Sequence, residues 1–139
     1  MPSDDELRAI YDATRTIAVV GASADPAKPA HSIPRYLQNQ GYRIIPVNPN
    51  SGEILGEPAY RTLAEVDVDV DVVDVFRPPE EVPGIAREAA AIGAKVLWTQ
   101  TGIESEEAAE IARSAGMTVV MGVCMGQTHA RLSLGPGPD

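Results

Sequence analysis

Residues 21–32 bring small side chains, a cation, an imidazole and hydroxyls into one short segment. It reads Gly21, Ala22, Ser23, Ala24, Asp25, Pro26, Ala27, Lys28, Pro29, Ala30, His31, Ser32. That combination suits a phosphate. Small residues at 21–24 let a backbone approach a ligand closely, and a helix opening near Ser32 would present unpaired amides and a positive dipole end. Lys28 adds a mobile charge, and the chain has just one other lysine, Lys95. His31 is placed to donate to the same anion. The segment nevertheless departs from the dinucleotide fingerprint GxGxxG, because the second and third glycines are missing.

Three later segments carry further polar groups. An NAD site wants a carboxylate at the end of the second strand to hold the ribose hydroxyls. Here that position reads Pro46, Val47, Asn48, Pro49, with no acid and, through Asn50 and Ser51, no cation for an extra phosphate. The next segment is Phe76, Arg77, Pro78, Pro79. Arg77 can grip a phosphate bidentately or pair with Glu80 or Glu81 on the rim, while Phe76 offers a face to a planar or thioether group. The last, Trp98, Thr99, Gln100, Thr101, Gly102, supplies uncharged hydrogen-bonding groups suited to amides, with Trp98 expected in the core.

Cys124 and His129 invite a nucleophile-and-base reading. An activated thiol needs a neighbour in space that lowers its pKa, and a separation of five residues does not create one. We therefore expect Cys124 to pack as a small apolar residue, and identify no catalytic constellation. The run Val66–Asp74 alternates valine with aspartate, which sends its carboxylates to one solvated face. A hard-metal site would instead need oxygens converging from a curved loop, and no metal is expected.

The elements that must position these groups alternate along the chain. Ser3 and Glu6 fit a capping box before a helix carrying Leu7, Ile10 and Tyr11. Strands are expected at 16–20, 42–47 (with Pro46 near its end), 70–76, 95–99 and 117–121. Helices built on Ile33, Tyr36 and Leu37, on Val82, Ile85, Ala86 and Ala89, and on Ala108, Ile111 and Ala112 connect them. This is the pattern of a single Rossmann-like α/β domain over residues 1–134: a doubly wound, five-stranded parallel sheet, expected order 3-2-1-4-5, with helices on both faces. Residues 135–139, Gly-Pro-Gly-Pro-Asp, are expected to form a disordered tail. In such sheets ligands bind beyond the carboxyl ends of the strands, which is where all four polar segments fall.

Eleven basic against twenty acidic residues give a net charge of −9, a surface that repels nucleic acid and anionic membranes. A lone cysteine excludes an internal disulfide. No apolar run reaches membrane-spanning length and the N-terminus lacks a secretion pattern, so a cytoplasmic address is expected.

Five motifs in sequence resemble those of the small stand-alone CoA-binding proteins, whose fold is similar to the CoA-binding domain of the succinyl-CoA synthetase alpha subunit. They are Val20-Gly21-Ala22-Ser23, Gly41-Tyr42 leading to Pro46-Val47-Asn48-Pro49, Val75-Phe76-Arg77, Trp98-Thr99-Gln100-Thr101-Gly102, and Val120-Met121 leading to Cys124. Where many relatives carry Asp-Arg before the cysteine, this chain has Gly122-Val123. The resemblance implies a coenzyme A site lined by the loop after strand one and the turns after strands two, three and four. Its expected contacts are Gly21, Ala22, Ser23, Lys28, His31, Ser32, Val47, Asn48, Pro49, Phe76, Arg77, Gln100, Thr101 and Gly102. The expected activity is binding of coenzyme A or an acyl-CoA without catalysis. The alternatives are an NAD(P)-linked oxidoreductase-like domain and a ligand-responsive interaction module. The sequence names no protein partner.

Overall fold

The computed structural model describes residues 1–138. Ser3 and Glu6 form the expected capping box, Glu6 N–H donating to Ser3 Oγ at 3.2 Å and Ser3 N–H to Glu6 Oε1 at 3.0 Å. Helix α1 (Asp4–Ala13) leads into β1 (Thr16–Val20), and α2 (Pro29–Asn39) leads into β2 (Arg43–Val47). Then follow β3 (Val72–Val75), α3 (Val82–Ala91), β4 (Val96–Thr101), α4 (Glu106–Ser114), β5 (Thr118–Gly122) and α5 (Met125–Arg131). The four pairings among these five strands are parallel. The strands are apolar almost throughout because each is covered on both faces.

Side chains alternate between two core layers. Ala18, Val20, Ile45, Val47, Val73, Val75 and Leu97 pack under α3 and α4 through Val82, Ile85, Ala86, Ala108 and Ala112. Ile17, Val19, Ile44, Val72, Trp98 and Val120 face the other way, under Leu7 and Tyr11 of α1, Leu37 of α2 and Met125 of α5. The doubly wound architecture is the expected one.

The sheet order is 2-1-3-4-5, so β3 lies beside β1 and not outside β2 as the order 3-2-1-4-5 would place it. The outer edge of β2 is already occupied. After β2 the chain makes a small hairpin, Glu53–Ile54 against Glu57–Pro58, and returns so that Tyr60 N–H donates to Pro46 O at 3.0 Å and Asn48 N–H to Tyr60 O at 2.8 Å. The same geometry explains Pro46 inside β2. In a strand the N–H and C=O of one residue point the same way, so the proline's missing donor faces Tyr60 and costs no bond to β1.

Two further boundaries differ from expectation. α5 follows β5 directly, with Cys124 as its N-cap and Sγ accepting from Gln127 N–H at 3.4 Å. Residues 135–138 form no helix or strand, but they lie against Tyr42, with Gly137 N–H donating to Gln40 O. The tail predicted to be disordered is therefore docked over this stretch; Asp139 is outside the described residues. Among the described residues no helix is long and apolar enough to cross a membrane.

Candidate functional site

The winding of the sheet reverses between β1 and β3, and the carboxyl ends of these strands open onto two clefts. They flank a ridge made by Gly21 and the Phe76-Arg77 turn. Gly21 has φ +88°, and a methyl group on it would stand 2.9 Å from both Phe76 O and Arg77 Cδ. Nothing larger than glycine fits this crossing. The first cleft, about 360 Å³, lies between β2 and α3 and includes Gly21, Val47, Asn48, Pro49, Asn50, Arg61, Arg77, Glu81 and Glu88. The second, about 630 Å³, lies over α2 and α5 and includes Lys28, Ser32, Ile33, Phe76, Gln100, Thr101, Ile103, Cys124 and Gln127.

The loop between β1 and α2 is anchored by Pro34. A proline inside a helix has no N–H for the carbonyl four residues earlier. That carbonyl belongs to Ala30, and it accepts from Ser23 N–H at 3.0 Å instead. Ser23 Oγ then accepts from Asp25 N–H at 3.0 Å, and Asp25 Oδ1 from Ala27 N–H at 2.9 Å. His31 Nδ1 sits 2.8 Å from Ser23 O, which fixes the tautomer with hydrogen on Nδ1. The helix begins at Pro29, ahead of the expected start near Ser32, and Lys28 O accepts from His31 and Ser32 N–H. Most polar groups of the predicted phosphate cradle thus hold the loop itself. Ala22, Ser23 and His31 line neither cleft, and Ala22 is fully buried. Lys28 and Ser32 do face the second cleft.

Asn48 stands in the first cleft with both ends of its amide engaged. Nδ2 donates to Ala22 O at 2.8 Å, and Oδ1 accepts from Asn50 N–H at 2.7 Å. It clamps β2 to the loop after β1. Arg77 lays its stem on Gly21 and turns its guanidinium to Glu81, Nε to Oε1 at 3.0 Å and Nη2 to Oε2 at 2.6 Å. The rim pairing available from the sequence is the one formed. It holds the Glu81 carboxyl below the usual range.

In the second cleft Phe76, Gln100 and Thr101 come together as expected, while Gly102 only turns the chain after β4, at φ +81°. Behind them lies a group that sequence reasoning missed. Asp74 is fully buried, registered between Val19 of β1 and Trp98 of β4. Its Oδ1 accepts a hydrogen bond from Gln100 Nε2, and its Oδ2 has no partner among the described residues. Burial pushes its pKa up to about 7, opposed in part by the bond from Gln100. Asp71, by contrast, is partly exposed and accepts from the Arg15 and Thr16 N–H groups at 2.9 and 3.0 Å.

Cys124 lies on the wall of the second cleft, but His129 does not serve it. The histidine is buried against the rings of Tyr11, Tyr36 and Tyr42, with Tyr36 Oη 2.8 Å from Nδ1. Burial lowers its pKa and so favours the neutral ring. Trp98 is core, donating from Nε1 to Val123 O at 2.8 Å. Arg61 and Gln127 also went unread: each reaches its cleft only through a turn or helix whose path the sequence pattern does not disclose.

Comparison with known proteins bears on this geometry. A protein called YneT from Bacillus subtilis is 41% identical over 129 residues, covering 93% of this chain and 96% of its own. The alpha subunit of acetate–CoA ligase (ADP-forming) II from Pyrococcus furiosus is 34% identical over 132 residues, 86% of this chain but 29% of that subunit. Among solved structures, cell-free ID.343 from Thermus thermophilus superposes with TM-score 0.90 at 43% identity, covering 94% of this chain and 99% of its own. A Pyrococcus horikoshii OT3 protein does so with TM-score 0.92 at 35% identity, covering 95% and 93%. The model of the CoA binding domain matches residues 15–130, and with it the chain belongs to the CoA-binding domain family.

Proposed function

We propose that this protein binds coenzyme A, free or acylated, and acts through occupancy of the site without catalysing a reaction itself. The observation that carries the reading is the pair of unlike clefts on either side of Gly21. One is the more polar of the two, includes Asn48, Asn50 and Arg61, and suits a nucleotide. The other is lined by Ile33, Phe76 and Ile103, has amide-bearing Gln100 and Gln127, and carries Cys124 on its wall. It suits a long arm of amides and methylenes ending in a thiol or thioester. Lys28, at the mouth of the second cleft, meets the pyrophosphate where the ligand crosses the ridge. Membership of the family supports this assignment. His129, held in its aromatic cage with Nδ1 on Tyr36 Oη, does not serve Cys124 as a base, which supports binding without chemistry.

Titration calorimetry with coenzyme A, acetyl-CoA, NAD and NADP tests the proposal. Heat with the two CoA species and none with NAD is expected. No heat with either CoA species would overturn it, and tight NADP binding beside weak CoA binding would favour a dinucleotide function. Incubation of the complex with acetyl-CoA should leave the thioester intact; its protein-dependent hydrolysis would remove the non-catalytic part of the reading.

A further inference from the structure

The first cleft contains a cation that the turn after β2 does not supply. Tyr60 pairs back onto Pro46 and Asn48, and this register delivers the next residue, Arg61, beside Asn48 and Asn50. Among the described residues Arg61 makes no side-chain hydrogen bond and belongs to none of the four ion pairs. The other arginine of the cleft, Arg77, has its charge met by Glu81 at 2.6 Å. The remaining charged group is Glu88, on α3. That carboxylate and Glu81 disfavour an anion along the α3 wall and leave Arg61 as the free positive charge opposite.

Resting on the coenzyme A reading, we infer that Arg61 receives the phosphomonoester on the ligand's ribose, and so determines a preference for coenzyme A over its dephospho form. The adenosine of coenzyme A carries a dianionic 3′-phosphate, and a guanidinium matches two of its oxygens at once. A chain of net charge −9 needs such a local cation, since its overall field opposes the ligand. The same chemistry would meet the 2′-phosphate of NADP, so the experiment must separate the two sources.

Affinities for coenzyme A, dephospho-CoA, NADP and NAD are measured by calorimetry on the wild type, Arg61→Gln, Arg61→Lys and Arg87→Gln. Arg87 pairs with Glu107, lines neither cleft, and controls for the loss of one charge. The wild type should prefer coenzyme A over dephospho-CoA about ten- to hundred-fold, the range of a charge-assisted hydrogen bond. Arg61→Gln should erase that preference, bringing coenzyme A affinity to that of dephospho-CoA, Arg61→Lys should retain part of it, and Arg87→Gln all of it. A preference surviving in Arg61→Gln, or absent from the wild type, overturns the role of Arg61 while coenzyme A binding stands. An NADP-over-NAD preference that Arg61→Gln erases, in a protein that does not bind coenzyme A, supports the phosphate contact and overturns the ligand reading beneath it. No binding of any nucleotide overturns both.

Discussion

Exchange of Asp74 for asparagine keeps the side chain's shape and removes its proton. The carboxyl is wholly buried, Gln100 satisfies one oxygen, and the other has no partner among the described residues. Its pKa is about 7 in the folded protein against an ordinary 3.8. A raised acid pKa means that the folded state holds the proton more tightly than the unfolded chain. Between about pH 4 and 7 the contribution of Asp74 to stability must therefore fall as pH rises, because unfolding releases that proton. At 1.36 kcal/mol per pH unit, the full window amounts to an upper bound of about 4 kcal/mol. His129 works in the opposite sense. Its lowered pKa favours the neutral ring in the fold, so its contribution grows as pH rises toward the ordinary 6.5. The difference between wild type and Asp74→Asn cancels that common term. Urea unfolding at pH 5, 6, 7 and 8 should show the variant gaining on the wild type at each step, flattening above pH 7. A difference constant with pH would refute the assignment of a buried neutral acid.

Three other substitutions probe the site. Gly21→Ala forces a side chain into φ +88° and 2.9 Å from Phe76 O, so it should cost at least about 1–2 kcal/mol in chemical denaturation and lower CoA affinity; wild-type stability would contradict the packing of the ridge. Pro34→Ala restores a helical donor to Ala30 O in competition with Ser23. CoA affinity should fall while the thermal midpoint holds or rises, and unchanged affinity would separate the loop anchor from binding. Lys28→Ala should weaken coenzyme A binding by a factor that shrinks at high salt, and equal affinity in calorimetry at low salt would move the pyrophosphate elsewhere.

The five strands were legible because parallel strands buried on both faces read as short apolar runs, of which Ile17–Val20 is an example. Their order was not, since it depends on Tyr60 taking the free edge of β2, a contact between residues 14 apart with no strand pattern around Tyr60. Helix α5 escaped because Met125–Arg131 contains a glycine and no apolar stripe; it is held by Tyr11 Oη donating to Met125 O at 2.6 Å. Asp74 was readable in principle. Asp67, Asp69 and Asp71 lie ahead of β3, whereas Asp74 falls inside the run Val72–Val75, where both faces of the strand are covered. Of the predicted contacts, most of those on the strand ends reached the clefts, as did Lys28 and Ser32, while Ser23 and His31 were spent in holding the loop.

That spending has a consequence for how such an acidic protein holds an anion. An amide cradle would attract phosphate through many short-range dipoles, whatever the charge elsewhere. Here Ser23, Asp25, Pro34 and His31 fix the loop's shape without a ligand, and positive potential is left to the side chains Lys28 and Arg61, one at each cleft. Point charges on exposed side chains are screened by salt, whereas a rigid loop pays little ordering entropy when the ligand arrives. The division therefore makes shape the constant part of recognition and charge the adjustable part. Lys28 and Arg61 line different clefts, so a ligand that meets both must enter the two, as a nucleotide joined through a pyrophosphate to a long arm would.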